Sequence, residues 1–135
     1  MASITALRTG IGANLGTIRG LRVSVTIPDN PTPPMAIVQP DNVTYDSVFG
    51  RGMQEYRFTV LVMVGRVAER SRQNELDEYV SSTGARSIKL AVESDKTLGG
   101  LAYDVRVTEM RIFASLPIGD VNYLTAEFTV LCYAD

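Results

Sequence analysis

Histidine is absent from this chain of 135 residues, and cysteine occurs once, at Cys132. Without histidine the chain lacks the commonest general base, the usual zinc ligand and every nucleophile that depends on a histidine partner. A single cysteine cannot form an internal disulfide, which fits a reducing compartment. Because Cys132 falls on the apolar side of the last predicted strand, we expect a buried structural thiol and not a reactive one. We therefore expect a protein that is not an enzyme.

Long apolar runs and an excess of basic residues are missing as well. No stretch approaches the roughly 18 apolar residues that a membrane-spanning helix needs, and the N-terminal segment lacks the apolar core of a signal peptide. The net charge is −2 and the isoelectric point is about 5.1. A surface that grips nucleic acid is therefore not expected. A weakly acidic protein can still line a DNA conduit, since like charges shorten contact with the phosphates.

The composition is that of one globular domain spanning residues 1–135. Hydrophobic residues make up 45% of the chain and charged residues 21%, which is ordinary for a folded soluble protein. A chain of this length buries roughly two-thirds of the surface that it exposes when unfolded, which is enough for a substantial core.

The spacing of apolar residues predicts strands in neighbouring pairs with helices between the pairs. Helices are predicted over 1–18, with Ser3 as its cap, over 67–82, and over 87–93, with Ser87 as its cap. Alternation predicts strands over 21–27, 53–65, 101–114 and 123–133, and a short edge strand over 35–38 that Pro40 stops. A slip in phase predicts a bulge near Thr108 and Glu109. This order predicts an α+β fold: an antiparallel or mixed sheet of about four to five strands with helices on one face.

Segment 41–52 is predicted to be a hairpin tip, and it carries the candidate interaction residues Tyr45, Phe49 and Arg51. Aromatic and arginine side chains in a glycine-flanked loop are typical of protein-interface hot spots. Tyr45, Phe49 and Tyr56, near Arg51 and Arg57, also fit a base-stacking patch, which the negative net charge disfavours. The proline-rich run over 28–34 predicts a rigid connection, and the alternative is a docking ligand for another domain.

Other residues that carry chemistry do not assemble into a recognisable site. Glu75, Asp77 and Glu78 cluster, but Glu75 and Asp77 do not share a helix face, so a solvated surface is the preferred interpretation. The glycine-rich segments 50–52 and 98–100 fit neither a phosphate-binding loop nor a dinucleotide fingerprint and are predicted to be turns. We expect no catalytic residue, no cofactor and no metal ion.

Several segments taken together resemble a known family. A Q-x-x-L-D-x-Y-V helix is followed by a glycine, a Ser-Ile pair and a T-L-G-G turn, namely Gln73, Leu76, Asp77, Tyr79, Val80, Gly84, Ser87, Ile88 and residues 97–100. The segments IPDNPTPPMAIVQP and EYRFTVLVMVGR precede this helix, and YLTAEFTVLCYAD closes the chain. In this order they resemble tail terminator (tail-completion) proteins of long, flexible-tailed bacteriophages, especially those that infect actinobacteria. The resemblance spans nearly the whole chain.

The resemblance implies a structural virion protein. Six copies of such a protein form a ring that caps the finished tail tube, stops its polymerisation and joins the tail to the head. It implies as partners other copies of the chain, the major tail tube protein and the head–tail connector or neck protein, with DNA only passing through the lumen. The implied location is the head-proximal end of the tail, after assembly in the host cytoplasm.

Three other functions stay open. A head–tail connector or neck subunit and a tube-like tail protein belong to the same structural class, and a monomeric protein-binding module is the third. Within the terminator hypothesis, loop 41–52 is the candidate ring-to-ring contact. We expect contacts around the ring to use the sheet edges and the helix over 67–82.

Overall fold

A computed structural model describes residues 3–18, 20–24, 34–45, 54–66, 71–118 and 121–134, with the backbone alone at 66, 71–73, 112–118 and 121. Its elements, in chain order, are α1 (Ile4–Leu15), β1 (Arg22–Ser24), β2 (Met35–Thr44), β3 (Gln54–Arg66), α2 (Ser71–Val80), α3 (Ile88–Val92), a 3-10 turn (Glu93–Asp95), β4 (Asp104–Ile118) and β5 (Val121–Ala134). None of the helices in these ranges is both long and apolar enough to cross a membrane.

The strands form one mixed sheet in the order β1-β2-β3-β5-β4. β1 runs parallel to β2, and the other neighbours are antiparallel. This arrangement confirms the predicted α+β fold. β3 lies at the centre, and consecutive residues from Val60 to Val64 are all buried. The second half of β3 is therefore covered on both faces, as its continuous apolar sequence predicts.

The main core lies between the helices and one face of the sheet. Alternate residues of β3 and β5 face this core, and α1, α2 and α3 pack on it with their apolar stripes. Each fully buried leucine or isoleucine contributes about 1.5–3 kcal/mol to stability. The largest contributions come from Leu7, Ile11, Leu15, Phe58, Val60, Leu76, Tyr79, Ile88 and Phe128.

Both predicted helix caps are confirmed. Ser3 accepts a hydrogen bond from the Ala6 N–H at 3.0 Å, and Ser87 accepts one from the Leu90 N–H at 3.1 Å. Gly10, inside α1, allows a close approach, because a Cβ there would lie 3.1 Å from the Leu98 Cβ. A glycine that weakens the helix on its own thus lets it pack against the turn before β4.

The prediction that Pro40 stops a short edge strand is wrong. β2 continues to Thr44 and lies between β1 and β3, with a register shift between Pro40 and Asn42. Proline is tolerated at bulges and where a second strand is missing. Within the described ranges, β1 pairs only with residues 35–37 of β2. The strand therefore has no described neighbour on that side at Pro40, and the hairpin tip predicted over 41–52 begins later.

Two further predictions concern the last hairpin. The bulge is confirmed, because the register of β4 against β5 shifts between Val107 and Glu109. The connection predicted over 117–120 is wrong, since Ile118 pairs with Val121 and only two residues lie between the strands. The pairing of long alternating strands continues through Pro117 because that residue lies at the sheet edge, where proline is accepted.

Asn14 joins α1 to the end of α3. Its Nδ2 donates to the Val92 carbonyl at 2.9 Å and to the Asp95 carbonyl at 3.1 Å, and the residue is buried. The two carbonyls belong to the C-terminal turn after α3, where helices leave acceptors without partners. One side chain thus donates to two carbonyls that lie 78 and 81 positions away in sequence, through one buried and one part-buried hydrogen bond.

We expect Asn14→Ala to lower the free energy of unfolding by about 1–3 kcal/mol, because it removes the side-chain donor to the buried Val92 carbonyl and one of two donors to the Asp95 carbonyl, which also accepts from the Leu98 N–H at 3.2 Å. Urea titration followed by circular dichroism measures the change. Asn74→Ala is the matched control, because Asn74 lies exposed on α2. Equal effects of the two substitutions would contradict this role of Asn14.

Candidate interaction surface

The structure places one of the three predicted interaction residues. Tyr45 directly follows β2, and 72% of it is exposed. Phe49 and Arg51 lie outside the described residues, so their grouping with Tyr45 stays a prediction. A large aromatic residue exposed to this extent at the end of a strand is a candidate contact residue.

The strand register shows which residues share an end of the sheet with Tyr45. Thr44 of β2 pairs with Glu55 of β3, Glu55 pairs with Tyr133 of β5, and Tyr133 pairs with Asp104 of β4. The end of β2 therefore lies at the same end of the sheet as the beginning of β4.

Two more exposed apolar residues lie there. Tyr103 immediately precedes β4 and is 59% exposed, and Leu101 is 38% exposed. Tyr133 is half-buried. We call Tyr45, Leu101, Tyr103 and Tyr133 the aromatic end of the sheet. Its three tyrosines combine an apolar ring with a hydroxyl group, which suits contacts that are partly wet.

A hydrogen-bonded turn holds the segment that precedes β4. Asp95 Oδ1 accepts from the Thr97 hydroxyl at 2.9 Å and from the Thr97 N–H at 3.2 Å, and Asp95 Oδ2 accepts from the Gly99 N–H at 3.0 Å. The bond from the Thr97 hydroxyl, followed by that from Gly99, lowers the pKa of the Asp95 carboxyl. The Tyr103 N–H then donates to the Tyr133 carbonyl at 2.7 Å. The exposed apolar side chains of this segment are thus presented from a fixed backbone.

Leu101 and Tyr103 were not among the predicted interaction residues. Alternation over 101–114 predicts Tyr103 on one face with Val105 and Val107. The two valines are buried, but Tyr103 is exposed because β4 begins only at Asp104. The glycine turn just before Leu101 is the signal in the sequence that the strand begins later.

The sheet face opposite the helices changes character along its length. At one end it is an apolar cluster of buried residues, namely Met35, Ile37, Leu61, Met63 and Tyr123. Towards the aromatic end it carries charges of both signs on neighbouring positions. Arg106 Nε lies 2.9 Å from Asp104 Oδ2, and Arg57 Nη2 lies 3.9 Å from Glu55 Oε1. Such exposed pairs contribute about 0–1 kcal/mol each. Among the side chains that the structure describes, this part of the face is mixed in charge.

The carboxylates of α2 surround Arg86. Its Nη1 lies 3.2 Å from Glu78 Oε2 and 3.8 Å from Glu75 Oε1, and its guanidinium carbon lies 5.9 Å from the centre of the Tyr79 ring. Burial raises the pKa of Tyr79, and the Arg86 charge acts against that shift. The charged face predicted for this helix is therefore paired with a cation, Arg86, from the turn that follows α2. The described residues contain no cluster of three or more potential metal ligands.

Cys132 is buried in the main core, as its place on the last strand predicts. Burial raises the pKa of its thiol to about 12, and the nearby negative charge of Asp104 acts in the same direction. The thiol is therefore protonated at neutral pH and is a poor nucleophile.

No protein-family model and no curated protein matches this chain. The case for a function therefore depends on the sequence motifs and on the surface described above.

We expect the folded protein to resist alkylation at Cys132. With a pKa of about 12, about one thiol in ten thousand is ionised at pH 8, so iodoacetamide should modify it at least about a hundredfold more slowly than in urea. Mass spectrometry over time measures the rate. Ser82→Cys is the control, because Ser82 is exposed after α2. Equal rates at positions 82 and 132 would contradict the assignment.

Proposed function

We propose that this chain is a structural subunit of a long-tailed bacteriophage that forms a ring on the finished tail tube. The ring stops tube growth and offers a surface to the head connector, at the head-proximal end of the tail. The resemblance of the ordered motifs to tail terminator proteins supports this proposal. The observation in the structure that carries it is the aromatic end of the sheet, where Tyr45, Leu101 and Tyr103 are exposed at the same end of the strands.

The aromatic end suits contact with the last ring of the tube. Tyrosine offers a large rigid contact area and loses little conformational freedom, since its side chain has two rotatable bonds. Exposed apolar groups gathered at one end of a domain are typical of a partner surface. In this proposal Tyr45, Phe49 and Arg51 belong to the ring-to-ring contact, and Leu101 and Tyr103 extend it.

Capping then depends on an asymmetry between two faces of the ring. One face is complementary to the exposed face of the last tube ring and binds it. The other face lacks the surface to which further tube subunits add, so polymerisation ends. Because the chain is weakly acidic and its open sheet face is mixed in charge, DNA passes without being held through its phosphates.

The experiment that tests this function follows tube growth directly. The purified chain is added to tube protein of the same phage while it polymerises, and tube lengths are measured by negative-stain electron microscopy. We expect growth to stop and one end of each tube to carry a cap. Incorporation of the chain along the tubes would instead identify a tube-like protein. Unchanged lengths with no chain bound would contradict the proposal.

Removing two tyrosine side chains from the aromatic end tests whether this surface contacts the tube. We expect Tyr45→Ala with Tyr103→Ala to weaken binding to tube ends at least about tenfold, because hot-spot aromatics contribute about 2 kcal/mol or more each. Cosedimentation with preformed tubes measures the affinity. Leu90→Ala is the control, because Leu90 is 53% exposed but lies on α3. Wild-type affinity in the double variant, with unchanged thermal stability, would show that this end is not the contact.

A further inference from the structure

β4 is an edge strand of the described sheet and pairs on one side only, with β5. An edge strand presents backbone donors and acceptors that can recruit a strand from another molecule. Folded proteins therefore guard such edges with charges, bulges, prolines or covering groups. At Val107 the guard is a pair of side chains from the helical segment beside the strand.

Both backbone polar groups of Val107 are bonded to this pair. The Val107 N–H donates to Glu93 Oε2 at 3.0 Å, and Lys89 Nζ donates to the Val107 carbonyl at 3.3 Å. Lys89 Nζ also lies 2.6 Å from the same Glu93 oxygen. One acceptor and one donor, joined by an ion pair, thus occupy the positions that the carbonyl and N–H of a neighbouring strand would take.

This pair is more than a helix-stabilising contact. Lysine four residues before glutamate is the less favourable order for an ion pair along a helix, and α3 is only five residues long. Burial acts to raise the pKa of the Glu93 carboxyl, but the bonds from Lys89 and from the Val107 N–H outweigh it, and the pKa is lowered. The carboxylate is therefore held in its charged, accepting form beside the strand.

We propose that Lys89 and Glu93 form an edge clasp that prevents β4 from adding a strand of a second copy of this chain. A bulge at the next residue also disfavours strand addition, because the register shift after Val107 leaves Thr108 without a partner position on β5. A bulge at an edge twists the strand away from flat pairing.

A groove lies beside the clasp, along β4. It has a volume of about 260 Å³ and runs between the end of α2 and β4, with Lys89, Thr108, Met110 and Phe128 in its lining. The Lys89 side chain reaches from α3 to the Val107 carbonyl at this groove. The clasp therefore lies between the groove and the backbone edge at Val107. The incoming strand we consider is that of a second copy of this chain, which carries the same edge strand paired on one side only. This inference does not depend on the proposed function.

Exchanging the charges of Lys89 and Glu93 tests whether the pair acts on the strand or only stabilises the helix. Lys89→Glu with Glu93→Lys keeps the net charge and the pair along the helix, in its more favourable order. It places a cation beside the Val107 N–H and a carboxylate beside the Val107 carbonyl, so neither backbone group keeps its partner. Lys89→Ala with Glu93→Ala removes the clasp without introducing new charges. The matched control is Asp104→Asn with Arg106→Gln, which removes an ion pair from the face of the same strand.

Two measurements are made on each variant of the full chain. Hydrogen exchange with amide-level resolution follows Val107, and sedimentation velocity across a concentration series follows self-association. In both clasp variants we expect the Val107 amide to exchange at least about tenfold faster than in wild type, given the strength of a bond to a charged acceptor. We also expect their mass to rise with concentration while that of the control stays at the wild-type value.

Either of two results would overturn the proposal. If the charge-exchanged variant keeps wild-type protection and mass, the pair serves only the helix. If the clasp variants lose protection at Val107 without any rise in mass, other features protect the edge. The thermal transition of each variant is recorded, so that self-association of an unfolded chain is recognised and not counted as strand addition.

Discussion

The pairing of β3 with β5 determines where the rest of the fold lies. Their register runs from Gln54 opposite Ala134 to Arg66 opposite Tyr123, and one face of the pair is apolar along most of its length. On this side of the sheet α2 packs on β3 and β5, α1 packs on β2, and α3 packs on β4. The burial of alternate valine, phenylalanine and leucine side chains therefore positions the helices as well as the strands. β4 and β2 then flank the pair, which brings the beginning of β4 and the end of β2 to one end of the sheet.

Polar interactions then fix the positions of the segments that connect these helices and strands. Asn14 joins α1 to the turn after α3, and Asp95 shapes the loop that leads to β4. The same helical segment supplies Lys89 and Glu93, which bond to the backbone of Val107. Side chains from one short stretch, residues 89–95 of α3 and the turn after it, thus hold the loop before β4 and occupy the sheet edge. The candidate contact surface and the proposed edge clasp therefore both depend on this stretch of the chain.

Local patterns predicted what depends on neighbours in sequence. The Ser87 cap and the bulge after Val107 follow from residues a few positions apart, and both are confirmed. The length of β2 beyond Pro40 was not predictable, because it depends on which strands lie beside it. The exposure of Tyr103 was missed because alternation alone does not show where a strand begins. The roles of Asn14 and of the edge clasp depend on contacts between distant segments that no spacing reveals.

The most direct test of the central claim counts copies of this chain at the ends of tail tubes. Fluorescently labelled protein is bound to purified tubes, and the copies at each bound spot are counted by stepwise photobleaching in single-molecule microscopy. The proposal that a ring caps the tube predicts a fixed number of copies, six if the family resemblance holds, at one end of each tube. Copies spread along the tube, or single copies in place of a ring, would contradict it.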